Sequence, residues 1–266
     1  MEIINFQEGT FRFLCFISFV LIFMACEFIF PLYKRTKKTF IRWGTNFLFV
    51  IIDVIILRLT FPLLAVGFAS ICVDKGFGLL NNVSLPFGLS LLISILLLDL
   101  GIWFQHFLFH RYRIFWRFHK IHHSDEELDF STGIRFHPIE ILISMIFKFF
   151  YILIIGPSAI MVIIFEIILN GSSIFNHSNI MIPRSFELLL RRIIVTPSMH
   201  RIHHSIEEGE TNSNFGFNLS IWDRIFGTYL HKPKRPEEDL VLGLEEFYKM
   251  KKKGFMKLII HPFISK

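Results

Sequence analysis

The placement of histidine constrains this chain more than any other feature. Nine of its twelve histidines fall into His106-x-x-x-His110, His119-x-x-His122-His123, a lone His177 and His200-x-x-His203-His204. On a helix, positions i, i+3 and i+4 share one face, so each cluster aims two or three imidazoles at one point. Imidazole is a ligand for iron, zinc, copper and nickel, and one ion takes no more than about four to six ligands. Eight or nine converging histidines therefore call for two metal ions. The fold must also bring four distant segments to one place.

Composition says where that place lies. Hydrophobic residues make up 53% of the 266 positions, with 34 phenylalanines, which is too apolar for a soluble domain and points to an integral membrane protein. The net charge of +6 comes from basic residues beside apolar stretches, so it reads as membrane-flanking charge and not as a nucleic-acid surface. Cys15, Cys26 and Cys72 lie within apolar stretches far from the histidines, and we assign them no disulfide and no metal. The first apolar stretch, residues 11–31, has no small-residue cleavage site and reads as an anchor rather than a removable signal.

A first span over residues 11–32 is followed at once by Lys34-Arg35-Thr36-Lys37-Lys38, with Arg42 a little later. Short basic loops stay cytoplasmic, so this loop orients the chain. A second span, residues 47–66, returns across, its Asp53 and Arg58 read as structural charges. Residues 67–85, with Gly76, Gly78, Asn81 and Asn82, break the apolar run and predict a loop or a re-entrant piece. A third span, residues 86–109, delivers His106 and His110 to the same side, next to Arg111 and Arg113.

The stretch 139–169 decides the architecture. One straight span there would place His177 and the last cluster opposite the others. Gly156-Pro157 sits near its middle, and proline breaks or kinks a helix. Two legs of about sixteen residues reach roughly 24 Å, enough to dip nearly through a bilayer and return. The expected fold is an all-α integral membrane protein of about four transmembrane helices or hairpin legs, plus a cytoplasmic histidine-rich helical cap. Its divisions are an N-terminal transmembrane region (1–85), a catalytic region (86–232) and a basic C-terminal tail lying on the membrane surface (233–266). The run Ile221-Trp222-Asp223-Arg224-Ile225-Phe226-Gly227 suits a cap packed at the interface.

Structural zinc sites are closed and usually contain cysteine. A histidine-only pair at a lipid boundary better suits a redox pair that activates dioxygen, and a bis-histidine haem would need facing histidines at membrane depth. A divalent-metal-binding membrane protein or transporter is the alternative. Transporters hold ions near the bilayer midplane, whereas these clusters lie at span ends.

Several motifs carry a resemblance: Asp99-x6-His106-x-x-x-His110, Phe118-His119-Lys120-Ile121-His122-His123-Ser124, Phe136-His137-Pro138-Ile139-Glu140, Asn176-His177-Ser178-Asn179, Met199-His200-Arg201-Ile202-His203-His204, and later Asn214-Phe215-Gly216 and Trp222-Asp223-Arg224. Over roughly residues 90–232 the chain resembles the sterol desaturase and fatty acid hydroxylase family. The resemblance implies an integral membrane oxygenase with a non-haem di-iron centre. It would use O₂ and electrons from a separate cytochrome b5-like or ferredoxin-like protein to hydroxylate or desaturate a sterol or fatty-acyl lipid.

It also implies the metal ligands His106, His110, His119, His122, His123, His200, His203 and His204, with His177 as the family's additional histidine. His137 is either a ligand or a residue behind the ligands that starts a helix. Glu140, Asn176 and Asn214 are candidates to hydrogen-bond ligand imidazoles, or else to cap helices and turns. Asp99 either orients a ligand or pairs within the bundle. The partners expected are the lipid, the membrane and the electron donor, without nucleic acid. A bacterial inner membrane is favoured over the endoplasmic reticulum.

Overall fold

The apolar stretches are helices, because a backbone in hydrocarbon must satisfy its own hydrogen bonds and a helix does so within one segment. The computed structural model describes residues 2–36, 38–250 and 254–264. Lys37 of the basic loop and residues 251–253 and 265–266 of the tail lie outside the described residues. The chain runs α1 (Glu2–Ile29), α2 (Thr39–Thr60), α3 (Ala65–Asp74), α4 (Phe87–Arg111), α5 (Arg113–His119), α6 (Pro138–Ile155), α7 (Ala159–His177), α8 (Arg184–Leu190), α9 (Pro197–His203), α10 (Glu208–Thr211), α11 (Ile221–Ile225), α12 (Glu245–Tyr248) and α13 (Phe255–Ile264). Among the described residues the only β pairing is three isolated bridges.

Among the described residues, five helices are long and apolar enough to cross a membrane: α1, α2 with its continuation α3, α4, α6 and α7. They are the three spans and the two hairpin legs that the sequence predicts. Along α1 and α2 the outer face is apolar and exposed, as at Leu21, Ile22, Ile51, Val54 and Leu59. In water this would be an aggregation surface, but against lipid tails it is the ordinary exterior.

The break at Gly156-Pro157 forms the hairpin. Gly156 takes a left-handed conformation (φ 71°) and its N–H closes the last turn of α6 on the Ile152 carbonyl. The turn between α3 and α4 packs on this hairpin tip. A Cβ added to Gly78 (φ +94°) would lie 2.3 Å from the Gly156 nitrogen, so both the positive φ and the close approach require glycine there. Gly78→Ala is therefore expected to destabilise the protein by at least about 2 kcal/mol. A thermal melt in detergent checks this, and an unchanged midpoint would show that the two turns do not touch.

Two expectations need correction. Residues 67–85 are not loop throughout: α3 runs to Asp74 and buries Ala65, Ala69 and Cys72 on one face, against Leu98, Met145, Ile152, Val162 and Phe165. The glycines that signalled a loop act only from Gly76 onward. The second span begins at Thr39, eight residues early, so Arg42 belongs to a helix and not to the basic loop. It turns inward to pair with Asp125 (2.6 Å) and Asp129 (2.9 Å). The C-terminal segment also packs on the bundle. In α13 the buried Leu258 joins Phe49, Ile121 and Phe247 in a small core, while Met256, Phe263 and Ile264 face outward.

All these connections leave one end of each span at the histidines. The chain after α1 bridges Pro31 to Ile180, just beyond α7; α2 starts at the Arg42–Asp125 pair; α4 and α7 end on His110–Arg111 and His177.

Candidate metal centre

Each histidine cluster is aimed by a local device. His106 and His110 stand one turn apart in the last turns of α4. The seven-residue α5 ends on His119, and the chain then tightens into a single 3₁₀ turn carrying His122 and His123. His177 is the final residue of α7. In α9, the Thr196 hydroxyl accepts the Met199 N–H (3.3 Å) and Pro197 occupies the first turn, which fixes where the helix starts. His200 and His203 then fall on one face, with His204 at the end.

These nine imidazoles gather in two groups, each able to hold a metal ion. His106, His110, His119, His123 and His203 form one; His122, His177, His200 and His204 form the other, with nitrogens within 4.8 Å of one another in each. The two groups interlock, since His123 and His204 stack with ring centres 4.3 Å apart. All nine are buried except His110, which is half-buried.

The hydrogen bonds test whether cations belong there. Nδ1 of His106, His122, His177 and His203 faces the backbone carbonyls of Phe215, Arg135, Ser173 and Ser213 at 2.7–3.0 Å. A carbonyl only accepts, so each Nδ1 carries the proton and, in a neutral ring, each Nε2 is a bare lone pair. Yet Nε2 of His177 meets Nε2 of His122 at 3.0 Å, and Nε2 of His106 meets Nε2 of His119, whose Nδ1 faces Glu140, at 3.1 Å. Lone pairs facing at this distance repel unless a cation lies among them. Both ring nitrogens of His110 and His123, and Nε2 of His203, are buried with no partner at all. The donor set fits two metal ions.

Burial keeps these rings neutral. It pushes His119 down to about 3, and burial followed by neighbouring imidazoles holds His122, His123, His200, His203 and His204 well below 6.5. Neutral imidazole is the form that binds metal. A group with a depressed folded pKa takes up protons more readily in the unfolded chain, so its contribution is present above pH 6.5 and is lost as pH falls toward the folded value. Metal-free protein should therefore melt at progressively lower temperature from about pH 6.5 downward, with six such rings acting together. A pH series of melts checks this, and a flat profile between pH 7 and 5 would contradict it.

The residues expected behind the ligands divide. Glu140 Oε1 accepts from His119 Nδ1 at 2.6 Å. His137 belongs to neither group: it caps α6, accepting the Ile139 N–H (3.1 Å), and its Nε2 faces the Ile259 carbonyl (3.1 Å). Asn176 and Asn214 touch no ligand imidazole. Asn176 donates to the Phe217 carbonyl (2.6 Å), and Asn214 sits at φ 52° with its amide bridging Met199 and Leu230. Both shape the 213–217 loop whose carbonyls hold His106 and His203. Asp99 serves the same loop, accepting from the N–H groups of Asn218 (3.2 Å) and Leu219 (3.1 Å) and from Trp222 Nε1 (2.9 Å).

Sequence reasoning missed the carbonyl partners, which carry no residue signature. It also missed Gly133, where a Cβ would lie 2.4 Å from the Ser173 carbonyl that holds His177. Asp125 was missed as well. Burial raises its carboxyl, but Arg42 and Arg135 outweigh that and hold it well below the usual range, anchoring the loop after His123.

The assembly is thus a membrane helix bundle carrying a buried chamber of imidazoles at one end. The fatty acid hydroxylase family matches residues 91–228, just over half of the chain, and this chain belongs to that family. The ornithine lipid hydroxylase OlsE of Rhizobium tropici is 30% identical over 181 residues, covering 68% of this chain and 52% of that protein. The alkylglycerol monooxygenases of Homo sapiens and Danio rerio are each 32% identical, over 151 and 154 residues, covering 55% and 56% of this chain and 31% of theirs. The chain therefore spans about half or less of the length of these relatives. No solved structure matches it.

Proposed function

We propose that this chain is a membrane-bound di-iron oxygenase that uses O₂ and external electrons to hydroxylate or desaturate a lipid. The observation that carries the reading is the set of opposed, unprotonated Nε2 atoms in two interlocked groups. On this reading His106, His110, His119, His123 and His203 hold one iron, and His122, His177, His200 and His204 hold the other. All nine donors are nitrogen, with no thiolate, which suits a redox-active iron pair better than a closed zinc site. When bound, the irons supply the oxygen activation and the redox chemistry.

The protein's part is position and exclusion. Carbonyls of Phe215, Arg135, Ser173 and Ser213 fix four ring orientations, and Glu140 fixes His119. Phe136 lies flat on His122 (4.7 Å, 8°), Trp116 covers His110 (4.8 Å) and Phe215 abuts His110 (5.2 Å), which keeps bulk water from the chamber. Lying at the end of membrane spans, the chamber suits a substrate delivered from the bilayer. The relatives' names, a hydroxylase of ornithine lipid and a monooxygenase of alkylglycerol, support a polar-headed lipid. A separate cytochrome b5-like or ferredoxin-like protein supplies electrons. Lys34, Arg35, Arg111 and Arg113 flank the histidine end, which supports a cytoplasmic cap, and the rhizobial relative supports a bacterial inner membrane.

Lipid mass spectrometry of cells with and without the gene, under ¹⁸O₂, tests the function. A lipid gaining one ¹⁸O marks hydroxylation, and one losing two hydrogens without ¹⁸O marks desaturation. No lipid difference, with intact protein present and reductant supplied, would overturn the proposal.

A further inference from the structure

A cavity of about 170 Å³ lies beside the second histidine group. Its wall includes Arg201, the residue after His200, and Asn179, two residues after His177, together with Lys34 and Arg35 of the α1–α2 loop. Arg201 is 1% exposed, yet its Nε and Nη2 have no hydrogen-bond partner, and its guanidinium lies 4.9 Å from the Tyr33 ring. Arg35 is similar: one nitrogen bonds Glu27 at 3.2 Å, the fork lies 3.7 Å over Phe28, and Nε is buried without a partner. Guanidinium does not lose its proton in a protein, so these buried donors require an acceptor.

Glu126, Glu127 and Asp129 also line the cavity, but none of these three carboxylates is free. Glu127 accepts from Thr36 (2.6 Å) and Arg42 (3.2 Å), and Asp129 from Arg42, Trp43 and Ser131. The capacity left over is on the arginine side.

We infer that this cavity is a seat for a phosphate or carboxylate group, read by the forks of Arg201 and Arg35. Its ligand is the anionic head of a membrane amphiphile or a free small anion of the same chemistry. Both forks match planar carboxylate and tetrahedral phosphate oxygens, and the volume takes one such group with several waters. Resting on the oxygenase reading above, the seat has a further consequence. It holds the polar end of a lipid one residue from His200, so the protein selects substrates by an anionic headgroup.

The test uses metal-free full-length protein in phosphatidylcholine nanodiscs, with and without phosphatidic acid, and separately with inorganic phosphate. Bound ligand is read by native mass spectrometry and by melting temperature. Wild type should retain phosphatidic acid over phosphatidylcholine by about tenfold or more, and Arg35→Gln and Arg201→Gln should each lose about tenfold of that preference. Competition by inorganic phosphate at the same arginines assigns the site to free anions, and its absence assigns it to the headgroup. Arg35 lies outside the histidine-bearing helix, so its variant remains informative if Arg201→Gln does not fold. Binding of neither anion by wild type, or full anion preference in Arg35→Gln, would overturn the inference. Because no metal or turnover enters the readout, either result leaves the oxygenase reading to its own test.

Discussion

Alanine in place of His122 or His203 is expected to lower iron content and abolish turnover while the protein still inserts into the membrane. The two residues belong to different groups, so each change strips one ion's ligand set while leaving the other intact. A redox pair needs both ions, and either single change should therefore lower turnover by more than about 100-fold. That exceeds the ~10–100-fold typical of losing a hydrogen bond behind a ligand. Both residues lie outside the spans, His122 in the turn after α5 and His203 in α9, so expression and detergent extraction should be normal. Iron per chain, measured beside activity, checks this. Full activity in either variant would show that the ring is not a ligand.

The second large effect is expected at Asp223, far from the metals in sequence and from any obvious chemistry. Its buried carboxylate accepts four donors: Trp103 Nε1 (3.0 Å), the N–H of Phe215 (2.8 Å) and of Gly216 (2.8 Å), and the Thr228 hydroxyl (2.7 Å). Asp223→Ala leaves these donors buried and unpaired, at about 1–3 kcal/mol each, so a loss of more than about 4 kcal/mol follows. The damage also travels: Phe215 and Ser213 supply the carbonyls that hold His106 and His203. Melting temperature and iron content should fall together. A variant that melts like wild type would show that this carboxylate does not hold the loop.

The spans, the hairpin and the histidine groups were legible because each has a periodic or stereochemical signature. Apolar runs mark the spans, Gly156-Pro157 marks the turn, and the i+3 and i+4 spacing marks the imidazoles. What stayed hidden depends on contacts between distant segments. Arg42 looked like one more basic residue in a flanking loop, but Asp125, Glu127 and Asp129, more than eighty positions later, draw it inward. Asn176 and Asn214, read as candidates to bond ligand imidazoles or to cap helices and turns, act on the loop whose carbonyls orient the rings. The carbonyls themselves are invisible in any sequence, since every residue has one. Residues 67–74 read as loop or re-entrant because later glycines dominated the local signal, while Ala65, Ala69 and Cys72 lie i, i+4, i+7 on a buried face.

Iron K-edge X-ray absorption on protein purified in the presence of ferrous iron tests the central claim most directly. The account predicts about two irons per chain, a first coordination sphere of nitrogen and oxygen showing imidazole scattering, and an iron–iron vector of roughly 3.5–4 Å. A single iron per chain, or irons with sulfur ligands and no metal–metal scattering, would contradict it.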